Sequence, residues 1–167
     1  HDLKVIEDAA QSPGAIYKGR HVGTIADIGV FSLNYHKHVH TGEGGVCVTD
    51  KPALADRMQL IRNHAEAVVQ DKGTVDLSNM IGFNFRMTEV TAAIGIEQLR
   101  KLPSLVAERI AAADRLLEGL AHLEGLRLQA LQPDCTHVYY VNPMIIDEAL
   151  LPATRDQIIA ALEAEGV

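Results

Sequence analysis

The sequence predicts an α/β fold followed by a smaller α+β part, and three patterns indicate this. Short apolar or β-branched runs bounded by Gly, Asp and Ser occupy the first 50 residues, which is typical of buried strands. Apolar residues recur at helical spacing across 88–123 and predict a long helical connector. Further strand patterns follow. We therefore predict three parts, at residues 1–87, 88–124 and 125–167.

The first part is predicted to be a mostly parallel sheet with helices. Apolar residues 54, 58 and 61 have helical spacing and predict a helix over 52–64, and 65–82 is interpreted as a loop. The predicted strands are Leu3–Ile6, which we expect to be buried, Asp27–Leu33 and Gly45–Thr49. Three strands are few for such a sheet, so we expect more strands before His1.

The second half begins with the helical run, which Pro103 is expected to divide into two helices. Strands are predicted over Gly125–Leu131 and His137–Ile146, separated by a turn. A capping box at Thr154–Gln157 then predicts a final helix through Glu165.

Composition excludes several classes of function. Fifteen basic and 22 acidic residues give a net charge of −7, which disfavours nucleic acid as the main partner. No apolar run approaches the roughly 20 residues that span a bilayer, so no membrane span is expected. Cys47 and Cys135 are too few for a disulfide scaffold and favour the cytoplasm. Because both ends interrupt predicted elements, we expect an internal piece of a longer protein.

Two polar side chains stand at predicted strand ends, where open α/β sheets bind ligands. Asp8 follows Val5-Ile6-Glu7, and its alternative role is to cap a turn. Ser32 closes the next strand and could bind a phosphate, although a hydroxyl satisfied by a neighbouring carbonyl is more common.

The segment between the second and third strands contains a candidate nucleophile and a competing metal site. Lys37 lies in a short connection beside Gly42, and desolvation there would favour the neutral amine. His36, His38 and His40 would share one face if the segment were a strand, as metal ligands do. No second cluster supplies the remaining ligands, which disfavours the metal site.

A third candidate segment runs from Gly82 to Glu89, immediately before the long helix. Asn84 or Arg86 could bind an anion there. The alternative interpretation is a helix entry with Thr88 as the N-cap.

Together these segments resemble the DegT/DnrJ/EryC1/StrS family, the pyridoxal-phosphate-dependent sugar aminotransferases of fold type I. The resemblance extends through essentially the whole chain and rests on four motifs in order: Val5–Gln11, Gly29–Ser32, Lys37 five residues before Gly42-Glu43-Gly44-Gly45, and Gly82–Met87. It implies that 1–87 is the C-terminal part of the large cofactor-binding domain. Residues 125–167 would begin the small C-terminal domain.

The resemblance also implies a role for each matching residue. Lys37 matches the lysine that binds the cofactor aldehyde and later moves the proton. Asp8 matches the aspartate paired with the pyridine nitrogen, and Gln11 a residue beside the cofactor ring. Ser32 matches a phosphate ligand. Asn84 matches a residue that reaches the phosphate of the neighbouring subunit, which implies a homodimer.

The function implied is transfer of an amino group, from glutamate or glutamine, to a keto group of a nucleotide-linked sugar or cyclitol. Some relatives have histidine in place of Lys37 and act as sugar dehydratases. That activity remains an alternative, as does a non-catalytic metal-binding module. The family's N-terminal part helps to hold the phosphate, so we expect this chain alone to bind pyridoxal phosphate weakly or not at all.

Overall fold

The structure is a computed structural model that describes residues 1–66 and 80–167, so most of the predicted loop 65–82 lies outside the described residues. Strands and helices alternate irregularly along the chain. The strands are β1 (Ile6–Asp8), β2 (Ile16–Tyr17), β3 (Arg20–His21), β4 (Ile28–Ser32), β5 (Gly45–Val48), β6 (Leu126–Arg127), β7 (Cys135–Thr136) and β8 (Ile145–Ile146). The helices are α1 (Pro52–Arg62), α2 (Glu89–Leu120) and α3 (Arg155–Ala164).

The main described sheet has the order β1-β4-β5 and is mixed. β1 runs parallel to β4 with Asp8 opposite Val30, whereas β5 runs antiparallel to β4 with Gly45 opposite Ser32. The prediction was a mostly parallel sheet for the large domain, and the three strands described here form a mixed part of it. The reason is that the connection from β4 to β5 contains no crossover helix, which a parallel neighbour would require.

The prediction of a buried strand at Leu3–Ile6 is wrong. The observed strand starts at Ile6, and the side chains of Leu3, Val5 and Ile6 are 74%, 52% and 64% exposed. The pairing with β4 begins only where Ile6 lies opposite Ile28, so the residues before Ile6 lie outside the strand.

Helix α2 continues through Pro103, contrary to the predicted division into two helices. A proline inside a helix removes one backbone hydrogen bond and costs about 3 kcal/mol. Packing on both sides of Pro103 opposes that cost. The side chains of Leu102 and Val106 both lie against Gly14, and both belong to the core that holds the helix in place.

The small apolar core lies where three segments meet. Buried side chains come from the turn before β2, from α2 and from the segment after β7; they are Ala15, Val106 and Val138, with Val22, Leu102 and Ile110 packed against them. β2 also pairs with β7, in register Ile16 to Thr136. The first and last thirds of the sequence are therefore joined both by a small sheet and by this core.

The C-terminal predictions are partly confirmed. Two-residue strands β6 and β8 pair with each other inside the predicted ranges 125–131 and 137–146. The second range is not one strand, because Tyr139 has a φ of +47° that no strand tolerates. The capping box is confirmed, with the Thr154 hydroxyl accepting from the Gln157 N–H ahead of α3. In the part described here, no helix is long and apolar enough to cross a membrane.

Candidate functional site

Asp8 and Ser32 lie at the carboxyl ends of two neighbouring parallel strands. Asp8 is opposite Val30 in the pairing, so Ser32 lies two residues further along the adjacent strand. Each side chain caps a local turn: Asp8 Oδ1 accepts from the Ala10 N–H at 3.1 Å, and Ser32 Oγ accepts from the Asn34 N–H at 3.2 Å. For Asp8 this is the structural role predicted as the alternative, whereas Ser32 was expected to bond a carbonyl and instead accepts from a backbone N–H. Both groups nevertheless share one edge of the sheet, where open α/β folds bind ligands.

The loop between β4 and β5 fixes the backbone of Lys37. The Lys37 N–H donates to the Asn34 carbonyl at 2.9 Å, and the Asn34 side-chain amide donates to Glu43 Oε1 at 2.7 Å. The loop is closed by a Thr41 N–H that donates to the Leu33 carbonyl at 2.9 Å. Lys37 thus stands on a turn whose ends are tied to two strands.

The side chain of Lys37 is half-buried and extends towards the C-terminal part of the chain. Its Nζ lies 4.4 Å from the centre of the Tyr140 ring. An amine at that distance from an aromatic face is held by the ring quadrupole as well as by packing. The candidate nucleophile is therefore localised against an aromatic face.

The next residue, His38, is buried and ties the same loop to the same segment. Its Nε2 lies 2.7 Å from the Val138 carbonyl oxygen, which can only accept, so Nε2 carries the hydrogen. Nδ1 is buried without a hydrogen-bond partner among the described atoms. Burial lowers the pKa of His38, and the charges of Arg109 and Lys37 lower it further, against the opposing effect of the Val138 hydrogen bond. Its surroundings therefore favour the neutral ring of His38 over the charged one.

A shallow cavity of about 220 Å³ lies beside these contacts. Gln11 and Ser12 form one wall, and residues of 136–141, including Tyr140, form the other. Tyr140 thus belongs both to this cavity and to the face on which Lys37 lies. The structure thereby connects two predicted site residues, Gln11 and Lys37, through a residue that the sequence interpretation did not include.

Val138 and Tyr140 were missed for a physical reason. Their contacts with the lysine loop cross 100 residues of sequence, and the interpretation of 137–146 as one strand assigned them to a ladder. One signal was present: aromatic residues make up only 4% of the sequence, yet Tyr139 and Tyr140 are adjacent.

Asn84 lies in a segment attached to the end of α1. Phe83 donates its N–H to the Ile61 carbonyl at 2.7 Å, and Asn84 forms an isolated bridge with Asn63. Gly82 permits this approach, because a Cβ there would lie 2.1 Å from the His64 carbonyl carbon. Asn84 is exposed, as are its two neighbours in sequence, Phe83 and Phe85, and no contact among the described residues joins it to Lys37.

The helix entry expected as the alternative for this segment is observed. Thr88 is the N-cap of α2, and its hydroxyl accepts from the Thr91 N–H at 3.2 Å. The N-cap role of Thr88 does not conflict with a ligand role for Asn84, since a different side chain serves each role.

The three alternating histidines do not lie on a strand. His36 lies in a turn, His38 in a bend and His40 in irregular backbone, and because His36 is exposed and His38 buried they present no common face. Across residues 1–66 and 80–167, no group of three His, Cys, Asp or Glu side chains is placed to hold a metal ion.

Asp8 and Ser32 thus end adjacent strands, and the half-buried Lys37 lies in the loop that follows Ser32. The chain belongs to the DegT/DnrJ/EryC1/StrS aminotransferase family, whose model matches residues 1–167. Among curated proteins it is 37% identical over 173 residues to the GDP-perosamine synthase of Caulobacter vibrioides. The alignment covers 100% of this chain and 44% of that protein, so the chain spans less than half the length of this relative.

Solved structures show the same fold. An aminotransferase from Psychrobacter cryohalolentis matches with a TM-score of 0.87 and 36% identity, over 100% of this chain and 47% of that one. The E. coli GDP-4-keto-6-deoxy-D-mannose-3-dehydratase with bound hydrated pyridoxal phosphate matches with a TM-score of 0.86 and 27% identity, over 100% and 46%. Both are therefore similar across the whole chain, and they include an aminotransferase and a dehydratase.

The family is pyridoxal-phosphate-dependent, and the residues present fit that cofactor. The cofactor has an aldehyde, a basic ring nitrogen and a phosphate. Lys37 offers an amine, Asp8 a carboxylate and Ser32 a hydroxyl, and the latter two share one sheet edge. Gln11 offers an amide on a cavity wall. The donor set supplies a suitable partner for each of the three cofactor groups.

Proposed function

We propose that the full-length protein is a pyridoxal-phosphate-dependent aminotransferase. It transfers an amino group from an amino acid, glutamate or glutamine, to a keto group of a nucleotide-linked sugar or a related cyclitol. The observation that carries this proposal is the placement of Lys37, a half-buried residue on an anchored loop beside the strand end that carries Ser32. The perosamine synthase relative supports the sugar acceptor.

Each proposed role follows from the chemistry of the side chain. Lys37 holds the cofactor covalently and, once released, moves the proton at the substrate carbon. Asp8 holds a proton on the pyridine nitrogen, while Gln11 lies beside the ring. Ser32 donates its hydroxyl hydrogen to a phosphate oxygen. When bound, the cofactor supplies an electron-accepting ring beside the carbon that loses its proton.

A feature of the lysine loop favours transamination over dehydration. The histidines on either side of Lys37 are unsuited to take its place as the base. His36 is exposed, and His38 is buried with its Nε2 donating to the Val138 carbonyl. The amine of Lys37 is the basic group that extends from this loop towards the cavity wall formed by Tyr140. An amine at this point supports amino transfer.

The proposal includes a homodimer in the cytoplasm. Asn84 is exposed, and the rings of its two neighbours in sequence, Phe83 and Phe85, stack on each other with centres 4.9 Å apart. Two exposed aromatic rings beside an exposed amide suit a surface that a second subunit covers. We propose that Asn84 reaches the phosphate bound by that subunit.

The proposed function is tested by replacing Lys37 in the full-length protein. Lys37→Ala should abolish multiple turnover, measured as 2-oxo acid released and amino sugar formed from a nucleotide-linked keto-sugar. Lys101→Ala, an exposed position of α2, is the matched control and should retain turnover. Clear multiple turnover by Lys37→Ala would contradict the assignment.

A further inference from the structure

We propose that Tyr140 is a positioning residue for the amine of Lys37. The inference rests on the proposed function and adds a residue from the C-terminal part of the chain to the lysine's surroundings. Its basis is the 4.4 Å separation between Lys37 Nζ and the Tyr140 ring centre, together with two contacts that immobilise the segment carrying that ring.

The first of these contacts comes from the lysine loop itself. His38, adjacent to Lys37, is 5% exposed and donates from Nε2 to the Val138 carbonyl at 2.7 Å. Its ring centre also lies 6.0 Å from that of Tyr140. The His38–Val138 hydrogen bond therefore joins the lysine loop to the segment that carries Tyr140. His38 is adjacent to Lys37, and Val138 is two residues before Tyr140.

The second contact comes from α2. Arg109 donates to the Tyr139 carbonyl at 3.4 Å, and Tyr139 itself has a φ of +47°. A bulky residue keeps such a conformation only where its surroundings enforce it. The segment is therefore held on one side by His38 and on the other by Arg109, which fixes where the Tyr140 ring lies.

An aromatic face suits a lysine that must move protons. A carboxylate beside the amine would keep it protonated through a strong charge-assisted hydrogen bond. A ring face attracts the cation without offering an acceptor for its proton, and it remains a packing surface when the amine is neutral. Tyr140 also lines the cavity that Gln11 lines, so the amine is held next to that cavity.

The test measures the amine directly, on the full-length protein freed of cofactor. Competitive acylation with trace acetic anhydride and peptide mapping gives the reactivity of Lys37 relative to the other lysines. Tyr140→Leu removes the ring, whereas Tyr140→Phe keeps the ring and removes the hydroxyl. We expect several-fold faster acylation of Lys37 in Tyr140→Leu and a wild-type rate in Tyr140→Phe.

A second readout follows the capture of pyridoxal phosphate, stopped at timed intervals with borohydride. Acylation by a small reagent depends on the exposure of the amine, whereas capture also requires the amine to be directed at the bound cofactor. Formation of the Lys37 adduct should therefore slow several-fold in Tyr140→Leu and stay unchanged in Tyr140→Phe. Unchanged acylation and capture in Tyr140→Leu would overturn the inference, and so would a Tyr140→Phe protein that behaves like Tyr140→Leu.

Two controls separate the possible failures. If Tyr140→Leu does not fold, His38→Leu replaces it, because it removes the hydrogen bond to Val138 and leaves the ring. It should change both rates in the same directions, and unchanged rates would count against the inference. If the wild-type protein captures no cofactor at Lys37, the proposed function fails, whereas the acylation rates still decide the role of Tyr140.

Discussion

At Lys37, side chains that are neighbours in sequence lie in opposite surroundings. His36 is exposed, His38 is buried, and the lysine between them is half-buried with its amine on an aromatic face. Asp8 and Ser32 each use one oxygen to cap a turn. The candidate residues are thus held by local hydrogen bonds, a requirement for groups that bind a cofactor in one orientation.

The role of Asp8 predicts a large effect of a small substitution. Asp8→Asn keeps the size of the side chain but removes the charge that would hold a proton on the pyridine nitrogen. We expect proton abstraction to slow by orders of magnitude, since each loss of roughly 1.4 kcal/mol of transition-state stabilisation lowers the rate tenfold. Stopped-flow measurement of the half-reaction with the amino donor gives the rate. A rate near that of the wild type would show that Asp8 does not serve this nitrogen.

The buried ring of His38 predicts a dependence of stability on pH. Its pKa is lower in the folded chain than the ordinary value of 6.5, so the unfolded chain binds the proton first. The stability that the neutral, buried ring of His38 contributes is fully present above pH 6.5. It is lost as the pH falls from 6.5 towards the lower pKa of the folded chain. Denaturant unfolding of the full-length protein should show stability falling below pH 6.5, by at most about 1.4 kcal/mol per pH unit from this group.

Removing the ring should flatten this dependence. His38→Gln replaces the imidazole with an amide that does not titrate, whereas His122→Gln changes an exposed histidine and serves as the control. Identical slopes for His38→Gln and the wild type would show that His38 is not the titrating group.

Among the elements, β1 is stabilised by a carboxylate that the sequence interpretation did not single out. Glu7 Oε1 accepts from the N–H groups of Ile25 and Ala26, both at 2.6 Å, and Oε2 accepts from Gly23 at 2.8 Å. Burial raises the pKa of Glu7, but these three hydrogen bonds and the charge of Arg20 outweigh it, so the pKa is lowered. Glu7 thereby attaches the turn before β4 to β1 and aligns Asp8 with its neighbour strand.

Glu7→Gln is therefore predicted to destabilise the protein. The amide has one accepting oxygen and no charge, so we expect a loss of about 1–2 kcal/mol in the free energy of unfolding. The stabilisation from the carboxylate is present above pH 4.5 and is lost as the pH falls through the lower folded value. Thermal unfolding at neutral and acid pH measures both effects.

The matched control for this substitution is Glu108→Gln, an exposed position on α2. Its stability should remain within a few tenths of a kcal/mol of the wild type. An equal loss from both substitutions would remove the special role of Glu7.

The elements also show which parts of the fold are predictable from sequence. Local chemistry identified the capping box at Thr154 and the centre of β4, because both depend on residues next to each other. The predicted break of the helix at Pro103 is wrong, because tertiary packing of Leu102 and Val106 keeps the helix continuous. The prediction of one strand over 137–146 is wrong, because side chains from distant segments, His38 and Arg109, bind the carbonyls of Val138 and Tyr139.

Over the whole molecule, the site is only partly assembled by one described chain. The structure brings Lys37 and Gln11 to a common residue, Tyr140, and places Asp8 and Ser32 on one sheet edge. Asn84 lies apart, exposed at the end of α1. The resemblance pointed to five of these residues, Asp8, Gln11, Ser32, Lys37 and Asn84, but not to Tyr140. Their mutual arrangement depends on long-range contacts that no local pattern specifies.

The position of Asn84 predicts complementation between subunits. Full-length Lys37→Ala and Asn84→Ala proteins should each be weakly active or inactive, and mixed dimers contain one site with both residues native. Activity after co-refolding should therefore rise above that of either parent. The control is a mixture of the Lys37→Ala protein with a double variant that carries both Lys37→Ala and Asn84→Ala, in which no site has a native Lys37. If the first mixture gains no more than this control, Asn84 does not serve the neighbouring site.

The central claim, that Lys37 carries the cofactor, is tested most directly by chemical trapping. The full-length protein is incubated with pyridoxal phosphate, reduced with borohydride and mapped by peptide mass spectrometry. We predict saturable modification confined to Lys37 and absent from Lys37→Ala. Labelling scattered over several lysines, or none on a folded protein, would contradict the claim.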